Sequence, residues 1–200
     1  MFNPYGMGDW PTTPHANTTF PANTTPQPSI FGALPYPTQN SLSMFISFRF
    51  TSFSPTILNS TVVGPQARTY FRISTDVPKP GFTVFSDAKN EPVVIIEWLT
   101  PPVLEIRDTV SKQKSTQWLP LSAEKRYRTM TAKGTTYVWA PDGESLCLYA
   151  SGLGAPQICA RVTREDGAVL LEVTAEIIRI GLLDVCVAAA FLLQCGRTID

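Results

Sequence analysis

After residue 43, apolar and polar residues alternate with a period of two along most of the chain. MFISFRF (44–50) has the pattern of a half-buried strand. TILNSTVV (56–63) follows, bounded by Pro55 and Gly64-Pro65. TYFRIST (69–75) ends near Pro78 and Pro80-Gly81, and FTVFS (82–86) precedes a turn at Asp87–Asn90. VVIIEWL (93–99) stops at Pro101-Pro102, VLEIRD (103–108) resumes the alternation, and a polar stretch then leads to Trp118-Leu119. RYRTMTA (126–132) and TTYVWA (135–140) flank Lys133-Gly134, a hairpin signal. SLCLYA (145–150) lies between turn signals at Pro141–Gly143 and Gly152–Pro156. QICARVTR (157–164) and AVLLEVT (168–174) flank Glu165-Asp166-Gly167, again a tight hairpin. The pattern predicts about twelve short strands, spaced as an all-β barrel or sandwich requires.

The last element breaks this rhythm. Ile177 to Leu193 reads IIRIGLLDVCVAAAFLL, apolar on nearly every side. A helix that is apolar all round must be buried, in a protein or in a bilayer. The stretch is short for a membrane span, which needs about 20 residues, and it carries Arg179 and Asp184. Burial inside the chain's own β-structure is the better reading. A helix over about 180–195 would be roughly 24 Å long. Six-residue strands are roughly 20 Å long, so the helix matches the height of a barrel. Ala188, Ala189 and Ala190 suit a crowded axis, and Gly196 suits the position just past a helix end.

Residues 1–40 have a different texture. They hold Pro4, Pro11, Pro14, Pro21, Pro26, Pro28, Pro35 and Pro37, and Asp9 is the only charged residue. Such a segment cannot bury enough surface to offset its ordering entropy, so a disordered Pro/Thr-rich tail with local polyproline II character is expected. Its aromatic residues Phe2, Tyr5, Trp10, Phe20, Phe31 and Tyr36 leave open a docking role for a protein partner. The domain boundaries are thus 1–40 for the tail and 41–200 for the barrel.

Composition removes several functions. The 16 Lys and Arg balance the 16 Asp and Glu, which argues against broad nucleic-acid binding. The only histidine, His15, falls in the tail, so a preorganised Ser-His-Asp or Cys-His arrangement is not expected. Cys147, Cys159, Cys186 and Cys195 include no C-x-x-C pair, which leaves buried free thiols as the main expectation, and no metal or other cofactor is expected. Residues 1–20 lack the basic and apolar regions of a secretory signal. The sequons at Asn17, Asn23 and Asn59 then read as chance matches, and the expected location is intracellular, cytoplasmic or at a membrane periphery. Glu97, Glu105, Glu172 and Glu176 read as solvated strand-face residues. Asp184 interrupts an apolar helix; near a barrel mouth it would bond to backbone N–H groups or an arginine.

In their order along the chain, TYFRIST, VVIIEW (93–98), TTYVW (135–139), SLCLY (145–149), LLEVT (170–174) and GLLDVCVAAAFLL (181–193) resemble an uncharacterised domain-of-unknown-function family common in mushroom-forming basidiomycete fungi. The resemblance implies a tubby-like architecture, shared with LURP-one-related proteins and phospholipid scramblases: a twelve-stranded β-barrel threaded by a C-terminal hydrophobic helix. It supplies no catalytic motif, and the chain is expected not to be an enzyme. The chain differs from that family's texture in having Arg197 alone as a basic residue after the helix, and in its N-terminal extension.

One charge cluster remains: Lys112, Lys114, Lys125, Arg126, Arg128 and Lys133. If 126–132 is a strand, Arg126 and Arg128 share a face. Such a patch can hold phosphate through charge-assisted hydrogen bonds. Tubby-like proteins bind phosphoinositide headgroups on a basic barrel surface, so the resemblance implies an anionic phospholipid or phosphorylated ligand here. A solvated strand edge is the alternative. The expected function is a non-enzymatic binding module at an anionic membrane surface, or else a scaffold that uses its tail or barrel surface.

Overall fold

A computed structural model describes residues 45–152 and 156–200, so the 1–40 tail, His15 and part of the 152–156 turn lie outside the described residues. The strands are β1 (Phe45–Thr51), β2 (Ser60–Val63), β3 (Thr69–Thr75), β4 (Phe82–Ser86), β5 (Pro92–Glu97), β6 (Val103–Ile106) and β7 (Val110–Lys114). A short helix α1 (Ser115–Trp118) leads to β8 (Arg128–Ala132), β9 (Thr135–Asp142), β10 (Ser145–Ala150), β11 (Ile158–Glu165) and β12 (Ala168–Thr174). Helices α2 (Ala175–Arg179) and α3 (Leu183–Gln194) close the chain.

All twelve strands form one antiparallel sheet in the order β7-β6-β5-β4-β3-β2-β1-β12-β11-β10-β9-β8. Its two edges, β7 and β8, are consecutive in sequence, and α1 with the loop after it spans the seam between them. Leu121 makes one bridge to Arg128 there. The result is a nearly closed barrel. Inward positions alternate as the sequence pattern requires: Phe48 and Phe50 from β1, Met130 and Ala132 from β8, Tyr137 and Trp139 from β9, Leu171 and Val173 from β12 are all buried.

α3 fills the barrel. Val185 through Leu192 are eight consecutive buried residues, more than two helical turns, so the helix is enclosed on every side. Ala188, Ala189 and Ala190 have no exposed surface. Phe191 meets Phe85 edge to face, with centroids 4.9 Å apart. At twelve residues, α3 is about 18 Å long, one turn shorter than the sequence pattern indicates.

The shortening has a local cause. Gly181, at φ +71°, ends α2 in a Schellman turn: its N–H donates to Ile178 and the N–H of Leu182 donates to Ile177. A Cβ on Gly181 would also lie 2.9 Å from Lys133 Nζ. Gly196, at φ +72°, occupies the position after α3 expected of it.

Other departures from the sequence pattern are equally local. The polar stretch 110–114 is an edge strand, paired with β6 on one side and burying only Val110. Residues 56–59 belong to a turn and β2 begins at Ser60. β8 begins at Arg128 rather than Arg126, so Arg126 is a turn residue and does not share a strand face with Arg128. The Lys133-Gly134 hairpin forms as expected: Ala132 pairs with Thr135, and both turn residues have positive φ.

The register defines two ends. At the mouth, where α3 begins, lie the β4–β5, β6–β7 and β8–β9 turns. At the opposite rim lie the β3–β4 and β5–β6 loops, the β7–β8 connection and the residues after α3. Toward the rim Trp98 Nε1 donates to Thr83 Oγ1 at 2.7 Å, and the Thr83 and Thr75 hydroxyls are 2.7 Å apart, whereas the buried indole N–H groups of Trp118 and Trp139 have no partner among the described residues.

Because α3 has no free side at its middle, enlarging it there should overpack the core. Ala189→Trp is expected to lower the unfolding free energy by at least about 1–3 kcal/mol, read from urea denaturation by circular dichroism.

Candidate functional site

The six basic residues singled out from the sequence do not form one patch. Lys112, exposed on β7, pairs with Glu97 of β5 at 3.1 Å. Arg128 is held by three hydrogen bonds: its guanidinium donates to both carboxylate oxygens of Asp200, at 2.8 and 2.5 Å, and to the carbonyl of Leu119 at 2.9 Å. Its side chain is only 13% exposed, and it holds the Asp200 carboxyl below the usual aspartate range. It fastens the seam. Lys133 lies at the mouth, a full strand length from Arg128, where its ammonium donates to the Ile180 carbonyl at 2.7 Å.

Lys114, Lys125 and Arg126 are exposed at the rim and make no ion pair among the described residues. The turn that carries two of them is built around Ser122. Its backbone bonds to Lys125 and Tyr127, and its hydroxyl accepts from the Arg126 N–H at 3.0 Å. Lys125 sits at φ +56° within it. Glu124 shares the turn and offsets one charge.

The rim also carries an apolar feature. Among the described residues the exposed large hydrophobic ones are Val77 (66%), Leu99 (53%), Leu121 (37%) and Tyr127 (40%). Val77 is in the β3–β4 loop, Leu99 in the β5–β6 loop, and Leu121 and Tyr127 flank the Lys125-Arg126 turn. All four are therefore at the same end of the barrel. Lys79 lies in the Val77 loop, its ammonium 4.1 Å from the Phe82 ring centroid.

At the mouth, a cavity of about 330 Å³ opens beside the start of α3. Arg68, Thr69, Tyr70 and Phe71 line one wall, Asp87, Ala88 and Lys89 a second, with Val93, Arg107, Leu183 and Asp184 completing it. Asp87 accepts the Glu91 N–H at 3.0 Å and the Lys89 N–H at 2.8 Å, and pairs with Arg107 at 3.4 Å. The Glu91 N–H, ahead of the other donors, holds its carboxyl below the usual value.

Asp184 lies in the first turn of α3, at the mouth as expected, where the helix dipole favours a carboxylate. The expected bond to a backbone N–H or an arginine is not found among the described residues. Burial pushes its carboxyl up; Arg107 and Lys133 oppose that rise and Asp87 adds to it. Sequence reading found Asp184 but missed Arg68, Lys89 and Arg107, which come from separate turns with nothing in common along the chain.

The other acidic candidates are on the surface. Glu172 lies 3.8 Å from Arg161, Glu176 pairs with Arg179 at 2.7 Å, and Glu105 is exposed. All four cysteines are free; Cys147 and Cys186 are buried, and burial pushes the Cys186 thiol well up. Among the described residues no group of three or more His, Cys, Asp or Glu could hold a metal ion. No described helix is long and apolar enough to cross a membrane.

Fold and surface together define a helix-filled antiparallel barrel whose mouth cavity sets charged side chains over an apolar floor and whose rim carries exposed apolar and basic side chains on the β3–β4, β5–β6 and β7–β8 loops. The chain belongs to the DUF6593 family, a family of unknown function, whose pattern matches residues 55–198. No curated protein matches it. A protein of Arabidopsis thaliana with an X-ray structure is similar at 12% identity and a TM-score of 0.39, over 74% of this chain and 92% of that one.

Two stability differences follow. Arg128→Glu should lower the unfolding free energy by about 1–2 kcal/mol, because it leaves the Asp200 carboxylate and the Leu119 carbonyl without their donor; Arg126→Glu should change it by less than about 0.5 kcal/mol. Both are read from urea midpoints. Asp184→Leu should raise the thermal midpoint near neutral pH, since a half-buried charge is removed. The native carboxyl binds its proton at higher pH than the unfolded chain, so the wild type gains relative stability as pH falls through the raised pKa. The midpoint gap between variant and wild type should therefore shrink from pH 8 toward about pH 4.

Proposed function

We propose that this chain is a non-enzymatic binding module of tubby-like architecture that docks on an anionic membrane surface through its rim. The single observation that supports this is the placement of Val77, Leu99, Leu121 and Tyr127 at one barrel end, beside Lys79, Lys114, Lys125 and Arg126. The reading keeps Lys114, Lys125 and Arg126, the basic residues expected from the sequence that have no partner among the described residues, and sets aside Lys112, Arg128 and Lys133, which are paired with Glu97, Asp200 and the Ile180 carbonyl.

Magnitudes favour a mixed surface over a purely electrostatic one. A lysine or arginine near an anionic leaflet contributes about 1 kcal/mol, and Glu124 with the exposed Asp76 beside Val77 cancels part of the total here. Such a sum gives marginal attachment. Inserting a Leu, Val or Tyr side chain adds up to about 1.5–3 kcal/mol each when fully buried. Two weak signals together give usable affinity where either alone does not. The apolar side chains also stand on separate loops rather than in a groove, a shape suited to a soft planar surface.

Co-sedimentation with phosphatidylcholine vesicles, with and without phosphatidylserine, tests the reading. Binding should require the anionic lipid and should weaken as salt rises, because exposed charges are screened within about 8 Å at physiological ionic strength. Lys125→Glu with Arg126→Glu should abolish binding while leaving the thermal midpoint unchanged, and Leu121→Ser with Tyr127→Ser should weaken it. Equal binding to neutral vesicles, or indifference to both variant pairs, would overturn the membrane reading and leave the protein-scaffold alternative.

A further inference from the structure

The mouth cavity combines satisfied and unsatisfied polar groups in a way that specifies a ligand. Asp87, Glu91 and Arg107 satisfy one another, with Arg107 donating to Glu91 at 3.1 Å and to Asp87 at 3.4 Å. The side chains of Arg68, Lys89 and Asp184 have neither an ion-pair nor a hydrogen-bond partner among the described residues. Arg68 lies over the Tyr70 ring, 5.7 Å from its centroid. The surface beneath them is apolar: Phe71 and Val93 are buried and Leu183 is half-buried.

Three unmatched groups thus come from three segments: the approach to β3, the β4–β5 turn and the first turn of α3. A simple anion would match Arg68 and Lys89 but would meet Asp184 as a like charge. A simple cation would match Asp184 and be repelled by the other two. A molecule that carries an anionic group and neutral hydrogen-bond donors suits all three. Two cations favour a dianion, and phosphate monoesters bind such pairs through charge-assisted hydrogen bonds. At about 330 Å³ the cavity falls within the range of small-molecule sites.

We propose that the mouth cavity binds a small phosphate monoester of a polyol, with the phosphate on Arg68 and Lys89 and a hydroxyl donating to Asp184. The mouth is at the end of the barrel opposite the rim, so this ligand arrives from solution and the inference goes beyond the membrane reading. Either can fail without the other.

Isothermal titration of the full chain with glucose 6-phosphate and glycerol 3-phosphate tests it, with inorganic phosphate, glucose and serine as comparisons. At least one of the two esters should bind about tenfold or more tightly than inorganic phosphate, and glucose should give no heat. Arg68→Gln and Lys89→Met should each weaken the ester about tenfold or more. Asp184→Leu should weaken the ester by a similar factor yet leave inorganic phosphate unchanged or tighter, a split that general unfolding would not produce. If Asp184→Leu does not fold, the two cation variants and the ester-to-phosphate ratio carry the test. Phosphatidylserine vesicles should not displace the ester. No ester binding, equal affinity for ester and phosphate, tighter binding of serine, displacement by vesicles, or an Asp184→Leu variant with wild-type ester affinity would each overturn the proposal.

Discussion

The structure depends on one constraint: a helix with no polar side has to be surrounded. α3 buries eight residues in a row, and a sheet can surround a helix only by curling until its edges approach. That requirement explains the single twelve-stranded sheet and the run of alanines at the axis, where larger side chains would push the strands apart. It also explains why α3 is bounded at both ends by local devices. Gly181 turns the chain sharply from α2 into the mouth, and Gly196 releases it at the rim. Beyond it, Ile199 accepts from Ser115 Oγ, and Asp200 grips Arg128 across the seam. The plug and the barrel closure are thus one construction.

This arrangement also divides the surface chemistry. With the inside filled by α3, binding has to happen at the ends or on the outer face. The two ends differ in kind. The mouth is concave, with an apolar floor and charged groups above it that are partly matched. The rim is built of loops that project apolar side chains between basic ones, and its best-anchored cation, Arg128, is taken up by the fold. Asp184 joins the two themes: its position is dictated by the start of α3, while its carboxyl faces the cavity without a partner, a cost that the packing of the barrel does not require.

Much of the fold was legible because alternation and apolarity are short-range signals. Phe48 and Phe50, Tyr137 and Trp139, Leu171 and Val173 announce buried faces by spacing alone, and the Ala-rich helix announces enclosure by having no polar stripe. β7 was hidden because an edge strand with one buried residue has no alternation to show. The break at Gly181 was hidden because apolar residues continue on both sides of it. The candidate site was much less legible. Nearness in sequence grouped Arg128 and Lys133 with Lys125, yet pairing takes Arg128 to Asp200, 72 residues away, and strand direction takes Lys133 to the opposite end. Conversely, Arg68, Lys89 and Arg107 meet only because three turns converge on the mouth, and no spacing rule encodes that meeting.

The central claim is that α3 is an integral plug whose exposure requires the barrel to come apart. Native-state hydrogen exchange measures this directly. The amides of Val187 through Leu192 should exchange only through global unfolding, with the same free energy and the same denaturant dependence as the inner strands β1 and β12. Exchange of those amides through a smaller opening, while β1 and β12 stay protected, would mean that the helix leaves an intact barrel and would contradict the account.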